Sequence, residues 1–241
     1  MADIKIAIFN QSTAVSDKDV EALTAVLQKQ LDADFSPIWG CPADLRFVPK
    51  VEAAKPGEWW LGIFDNSDQA GALGYHDLTT EGLPFSKVFA KTTMDYGESW
   101  TVCASHELLE MLVDPNVNLT VFDQGPVGAR LYSYEVCDAC EADGFGYEID
   151  GTPVSDFVLP SWFESFRKEG STNFDFTKHI SEPFQLLPGG YIGVNDFAAG
   201  WGWWQLEPAG ERNARAIAPL GSRRQRRSIP PGKRIRSDVK R

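Results

Sequence analysis

The residues from Ser105 to Pro115 (Ser-His-Glu-Leu-Leu-Glu-Met-Leu-Val-Asp-Pro) are the stretch of this chain best suited to chemistry. Read as a helix, they place His106, Glu107 and Glu110 on one polar face and turn Leu108, Leu109, Leu112 and Val113 inward. Residues four apart on a helix stand one above the other, so His106 and Glu110 can hold one metal ion between them, with Glu107 beside it as a base. The alternative is a surface helix whose His-Glu-Glu face is merely solvated.

One imidazole and one carboxylate do not complete an open metal site, which usually takes three protein ligands. The best source of the third is Glu135, 25 residues beyond Glu110. Asp138, three residues further on, could bind the metal as well or orient His106 by accepting its other ring N–H. His76 and His179 could act as electrophilic residues near the metal, but no spacing argument places either. Zn2+ is the expected ion because of His106 and the helix, while Mn2+ or Ca2+ would suit a set richer in hard oxygen ligands. Two carboxylate ligands would nearly neutralise Zn2+ and leave less positive charge to acidify a bound water.

The elements that must position these residues can be read upstream. Residues 3–9 alternate and then run apolar, as a buried first strand does. Ser16 is a fitting N-cap for a helix from about Asp17 to Leu31, with Val20, Leu23, Leu27 and Leu31 at helical spacing. Leu45–Pro49 and Trp59–Phe64 read as two short strands. A glycine-punctuated extended run covers Ala70–Asp77, and Lys87–Thr92 reads as another strand. Gly97-Glu98-Ser99 introduces the His106 helix, and Asp114-Pro115 ends it.

His-Glu-x-x-Glu differs by one letter from the His-Glu-x-x-His helix of zinc peptidases. With the preceding strand order and the later Glu135-x-x-Asp138-x-Cys140, the chain resembles zincin-like metallopeptidases of the gluzincin type over about residues 1–141. More narrowly it resembles zincin-like proteins that carry Glu in place of the second His. The resemblance implies a zincin-like N-terminal subdomain with a mixed β-sheet and helices; with the irregular C-terminal subdomain read after it, the expected fold is α+β. The same resemblance implies metal ligands His106, Glu110 and Glu135, with Glu107 as catalytic base. It also implies a peptide or protein substrate lying along an edge strand at Ala72, Leu73, Gly74 and Tyr75. The expected domains are 1–115, 116–209 and a basic, disordered tail, 210–241.

Charge divides the chain. The tail carries 11 Lys+Arg against 2 Asp+Glu, a local charge of +9, and the 12 basic and 32 acidic residues before it leave −20. Arg223, Arg224, Arg226, Arg227, Lys233, Arg234 and Arg236 could dock on nucleic acid or on an acidic partner, or simply solubilise the end. A rival to the peptidase reading follows: an inactive zincin-like structural or binding subunit of a larger assembly, such as a phage particle.

The composition, 43% hydrophobic and 24% charged, is that of a soluble globular protein, and no apolar run reaches the roughly 20 residues that span a bilayer, so no membrane partner is expected. The N-terminus has no signal-peptide pattern, which makes a cytoplasmic location, with incorporation into a virion or other assembly, the expectation. Cys137-Asp-Ala-Cys140 lacks a second cysteine pair. It reads as two small buried residues or a disulfide, although a competing site from His106, Cys137 and Cys140 stays open. Trp201, Trp203 and Trp204 read as packing for a small C-terminal core rather than as a ligand platform. Ser105 lies within the helix with no triad partner placed by spacing, which argues against a nucleophile.

Overall fold

The computed structural model describes residues 4–69, 71–125, 128–197 and 203–208. The fold is α+β, with several sheets and few helices. The described residues form two units: residues 4–116 with Gly146–Ser155, and Val117–Phe145 with residues 156–208. The tail arginines and lysines, and Trp201, lie outside the described residues.

The first unit is built on a five-stranded sheet of β1 (Ile4–Asn10), β2 (Ala43–Val48), β3 (Trp59–Phe64), β4 (Gly74–Leu78) and β5 (Pro84–Phe89), in the order β2-β1-β3-β5-β4. All neighbours run parallel except β4, which pairs antiparallel with β5 as an edge strand. Helix α1 (Asp17–Gln30) starts at a capping box in which Ser16 and Asp19 satisfy each other's backbone N–H. It continues through a π-helical turn, Leu31–Phe35, into the short helix α2 (Ser36–Trp39), which Gly40 ends in the left-handed conformation.

Strand β5 is shifted from the expected Lys87–Thr92. It begins at Pro84 and yields at Ala90 to helix α3 (Ala90–Asp95), where Thr93 turns its hydroxyl back to the Phe89 carbonyl. Helix α4 (Trp100–Val113) starts five residues before Ser105, with Ser99 as N-cap. The alternative of a solvated polar face does not hold, because every residue from Ala104 to Val113 is buried.

Helix α1 lies against β1 and β2 and α4 against β4 and β5, and a bond from Ser105 Oγ to Gln30 Oε1 (2.7 Å) ties the two helices side by side. Strand alternation puts Ile6 and Ile8 on one face of β1 and Ala7 and Phe9 on the other. The Phe9 face carries its own small aromatic core, where Trp60, Phe64 and Phe85 pack around Phe9, mostly edge to face.

The hairpin β8 (Tyr147–Ile149) and β9 (Thr152–Val154) belongs to this first unit. Gln30 Nε2 donates to the Ser155 carbonyl (3.0 Å), the Ser155 N–H donates to Ser105 Oγ (3.1 Å), and Thr101 Oγ1 donates to the Pro153 carbonyl (2.7 Å). The Ser105 hydroxyl is thereby committed to structure.

The second unit holds an antiparallel sheet of β6 (Thr120–Gly125), β7 (Gly128–Ser133), β10 (Ile192–Asp196) and β11 (Trp203–Leu206), in the order β11-β10-β7-β6. Around it run 3-10 turns at Asp138–Cys140, Asp143–Phe145 and Pro160–Phe163. Trp162, Phe157 and Phe174 fill its core, and the Trp162 indole donates to the Gln185 carbonyl (2.9 Å). Trp203 and Trp204 are only half-buried on edge strand β11. Among the described residues no helix is long and apolar enough to cross a membrane.

One exposed carboxylate closes the loop between β1 and α1. Asp65 accepts from Ser12 Oγ (2.5 Å), Thr13 Oγ1 (2.7 Å), the Thr13 N–H (2.8 Å) and the Ala14 N–H (3.1 Å). These donors, led by the Ser12 and Thr13 hydroxyls, hold its carboxyl down at about 2. A depressed folded-state value gives stability that is present above the unfolded value, near 4, and is lost as pH falls through about 2. Asp65→Ala is therefore expected to lower the melting temperature at neutral pH, with the gap to wild type closing as pH falls toward 2. Thermal denaturation at several pH values checks this.

Candidate metal centre

Four ionisable side chains meet where β4 crosses α4. Helix α4 supplies His106, Glu107 and Glu110, and β4 supplies His76. One oxygen, Glu110 Oε2, stands 3.3 Å from His106 Nε2 and 3.8 Å from His76 Nδ1. Glu107 Oε2 lies 3.6 Å from the same His76 nitrogen. His76 is fully buried, Glu110 is 2% exposed, Glu107 5% and His106 9%.

Direct charge-assisted hydrogen bonds would be about 2.7–2.9 Å long. Ligand atoms about 2.0–2.1 Å from one tetrahedral ion stand about 3.3 Å apart. The spacings around Glu110 Oε2 are nearer to the second figure. Each imidazole, together with Glu110, belongs to a group of side chains close enough to hold one ion, and imidazole suits zinc better than it suits calcium.

The sequence dictates this meeting in three ways. Alternation along β4 sends Gly74, His76 and Leu78 to the face covered by α4 and sends Tyr75 and Asp77 to the other. Gly74 lets the helix approach, since a Cβ there would sit 2.7 Å from Glu107 Cγ and 2.8 Å from both Glu107 Oε1 and Cys103 Sγ. Ser86, paired with His76 across the sheet and fully buried, donates to the Glu107 carbonyl (2.9 Å) and pins the helix beside the cluster.

The expected substrate segment Ala72–Tyr75 maps only partly onto the edge strand, which runs from Gly74 to Leu78. Ala72 lies in the preceding turn, with its N–H on the Gln69 carbonyl (3.3 Å), and the Leu73 carbonyl accepts from Phe89 (2.9 Å). Tyr75 turns away from α4, where its hydroxyl binds Asp68 and Lys87 and burial raises its phenol above the ordinary value.

Glu135 and Asp138, expected as further ligands, fall in the second unit. Glu135 is fully buried and Asp138 is 4% exposed. Backbone bonds from Val158 to the Val136 carbonyl (2.7 Å) and from Tyr191 to the Asp138 carbonyl (3.0 Å) fix their stretch of chain. Cys137 and Cys140 in the same stretch are buried thiols, not joined in a disulfide. His179 also lies in the second unit, where Thr177 Oγ1 meets its Nδ1 at 2.7 Å.

His76 is the residue whose role sequence reasoning undervalued. Its signal was the glycine two residues before it on an edge strand, which marks the face of closest approach. No family model, curated protein or solved structure matches the chain.

Gly74→Ala is expected to push the Glu107 side chain from its place and to cost about 1–3 kcal/mol through overpacking. Urea denaturation measures the cost. Gly97→Ala, at a positive-φ turn with open space around it, serves as the comparison for backbone strain alone.

Proposed function

We propose that the chain is a zinc-dependent metallopeptidase of zincin type, with His76, His106 and Glu110 as metal ligands and Glu107 as general base. The observation that carries this reading is the convergence of both imidazoles on the single oxygen Glu110 Oε2, beside Glu107. Two His and one Glu form a donor set known from catalytic zinc sites that keep a coordination position open. In this reading His76 supplies, from the sheet, the imidazole that Glu110 displaces from the helix motif.

Zinc held there would supply a Lewis acid for the scissile carbonyl and would make a neighbouring water more acidic. Glu107 takes the water's proton on its carboxylate and hands it to the departing amine. An extended peptide adds to the open side of β4 through main-chain hydrogen bonds, as the strand's place at the sheet edge allows. The antiparallel edge strand on an otherwise parallel sheet, followed by the metal-ligand helix, supports the zincin resemblance.

Burial favours a second reading. With His76 fully enclosed and Glu110 almost so, the site also suits an ion that staples a structural subunit. The basic tail would then dock that subunit on nucleic acid or an acidic partner.

Elemental analysis and cleavage of a mixed peptide library separate the two. The peptidase reading expects about one zinc per chain and measurable cleavage. In Glu107→Gln the zinc is expected to stay while the rate falls by about 10²–10⁴-fold, the usual worth of a general base. His76→Ala and Glu110→Gln are expected to lose both. Zinc bound with no cleavage by wild type would leave the structural reading standing, and a wild type that binds no zinc would sink both. The same titration on Glu135→Gln tests the expectation that Glu135 adds a ligand.

A further inference from the structure

The second unit carries an ionisable cluster that peptide hydrolysis does not use. Asp156 and Asp175, 19 residues apart in sequence, are both fully buried, and a carboxyl oxygen of each lies within 4.8 Å of the other. Two carboxyl groups this close and out of water cannot easily both ionise, which favours a proton on one of them. The same pair clamps one loop by its backbone. Asp156 Oδ1 accepts from the Thr177 N–H (3.1 Å), Asp175 Oδ2 from the His179 N–H (2.8 Å) and Asp175 Oδ1 from the Ile180 N–H (2.9 Å). The loop between them holds Lys178 at a positive φ of 67°, a strained conformation for a residue with a side chain.

Thr177 sits at the centre. Its hydroxyl donates to Asp156 Oδ2 (2.6 Å), with Asp175 Oδ2 at 3.3 Å. That uses its one proton, so in the contact with His179 Nδ1 (2.7 Å) the imidazole is the donor. The His179 ring, 47% exposed and edge-on to Phe145, joins the buried pair to solvent. The other titratable group facing Asp156 is Cys140, from the turn Asp138–Cys140, with Cys137 beside it. Burial first, and then the Asp156 carboxylate, push the Cys140 thiol well above its ordinary value, so it stays neutral.

We propose that Asp156 and Asp175 form a proton-operated latch on the loop Asp175–Ile180: a proton shared by the two carboxyls keeps the loop clamped, and its loss to solvent releases it. With the proton gone, two negative charges face each other away from water, and the strained loop is what gives. Burial, and then the neighbouring Asp175, push the Asp156 carboxyl up to about 7, against the opposing pull of Thr177. A raised folded-state value means that the clamp is fully present below the unfolded value, near 4, and is lost as pH rises through about 7.

Hydrogen exchange of the Thr177, His179 and Ile180 amides, expressed as protection factors between pH 5.5 and 8.5, tests the latch in the full chain. Wild type is expected to lose protection by up to about tenfold per pH unit from pH 5.5 to about 7 and to level off above that, while core amides hold theirs. Asp156→Asn keeps a donor toward Asp175 and cannot ionise, so its protection is expected to stay flat. Thr177→Val removes a donor to the ionised form, and its transition is expected at higher pH. It also serves as the test should Asp156→Asn fail to fold. His179→Gln is expected to retain the transition. Three outcomes overturn the proposal: pH-independent protection in wild type, a transition that disappears with His179, or protection at pH 8.5 that returns on adding Mn2+. The last would mean that the carboxyl pair holds a cation rather than a proton.

Discussion

Two imidazoles and two carboxylates taken out of water at one crossing of strand and helix are the constraint on which this structure turns. Desolvating even a paired ion costs several kcal/mol, so such a cluster persists only where its members offset one another or share a cation. The local framework serves that requirement. The missing side chain at Gly74 lets α4 approach β4, Ser86 fixes the helix at the Glu107 carbonyl, and Ser105 and Gln30 fix its flank against the hairpin at Ser155. The rest of the second half of α4, Leu108, Leu109, Met111, Leu112 and Val113, is apolar and buried, so packing helps to carry the three ionisable groups into the interior.

The second unit meets the same difficulty with different parts. Its buried acids face each other, with only the half-exposed His179 imidazole 3.9 Å from Asp175, and backbone N–H groups and one threonine hydroxyl supply the compensation. Where carboxylates meet bases, a cation suits the charge balance; where carboxyls meet each other, a proton does. Both clusters join elements distant in sequence, as buried polar networks do when they fix one arrangement of the chain around them.

Much of the first unit was legible because its signals are local. Ser16 marks the start of α1, Trp59–Phe64 is found as read, and Gly151 marks the β8–β9 turn. The misreadings have physical causes. The strand expected at Lys87–Thr92 ran on because Thr92 and Thr93 favour strands, yet Thr93 satisfies the Phe89 carbonyl and begins a helix instead. A solvated face on α4 stayed open as the alternative because periodicity identifies a face but not what covers it. His76 had no spacing signal, since a strand residue opposite a helix is fixed by sheet register rather than by sequence separation. β6 was missed because it alternates weakly, with Phe122 left 58% exposed. Asp156 and Asp175 gave no signal, as nothing in a single sequence tells a buried aspartate from a solvated one.

The hairpin Tyr147–Val154 makes the first unit discontinuous, so the chain leaves that unit after Asn116 and comes back for ten residues. A ribosome therefore releases α4 long before the segment that completes its surroundings. Until the hairpin and Ser155 emerge, the Gln30 amide lacks its partners at Tyr147 and Ser155, and the Ser105 hydroxyl lacks the Ser155 N–H. Synthesis order thus imposes a delay: the Glu107 helix, ending at Val113, can reach its final setting only after 42 further residues (114–155), including the start of the second unit, have been made.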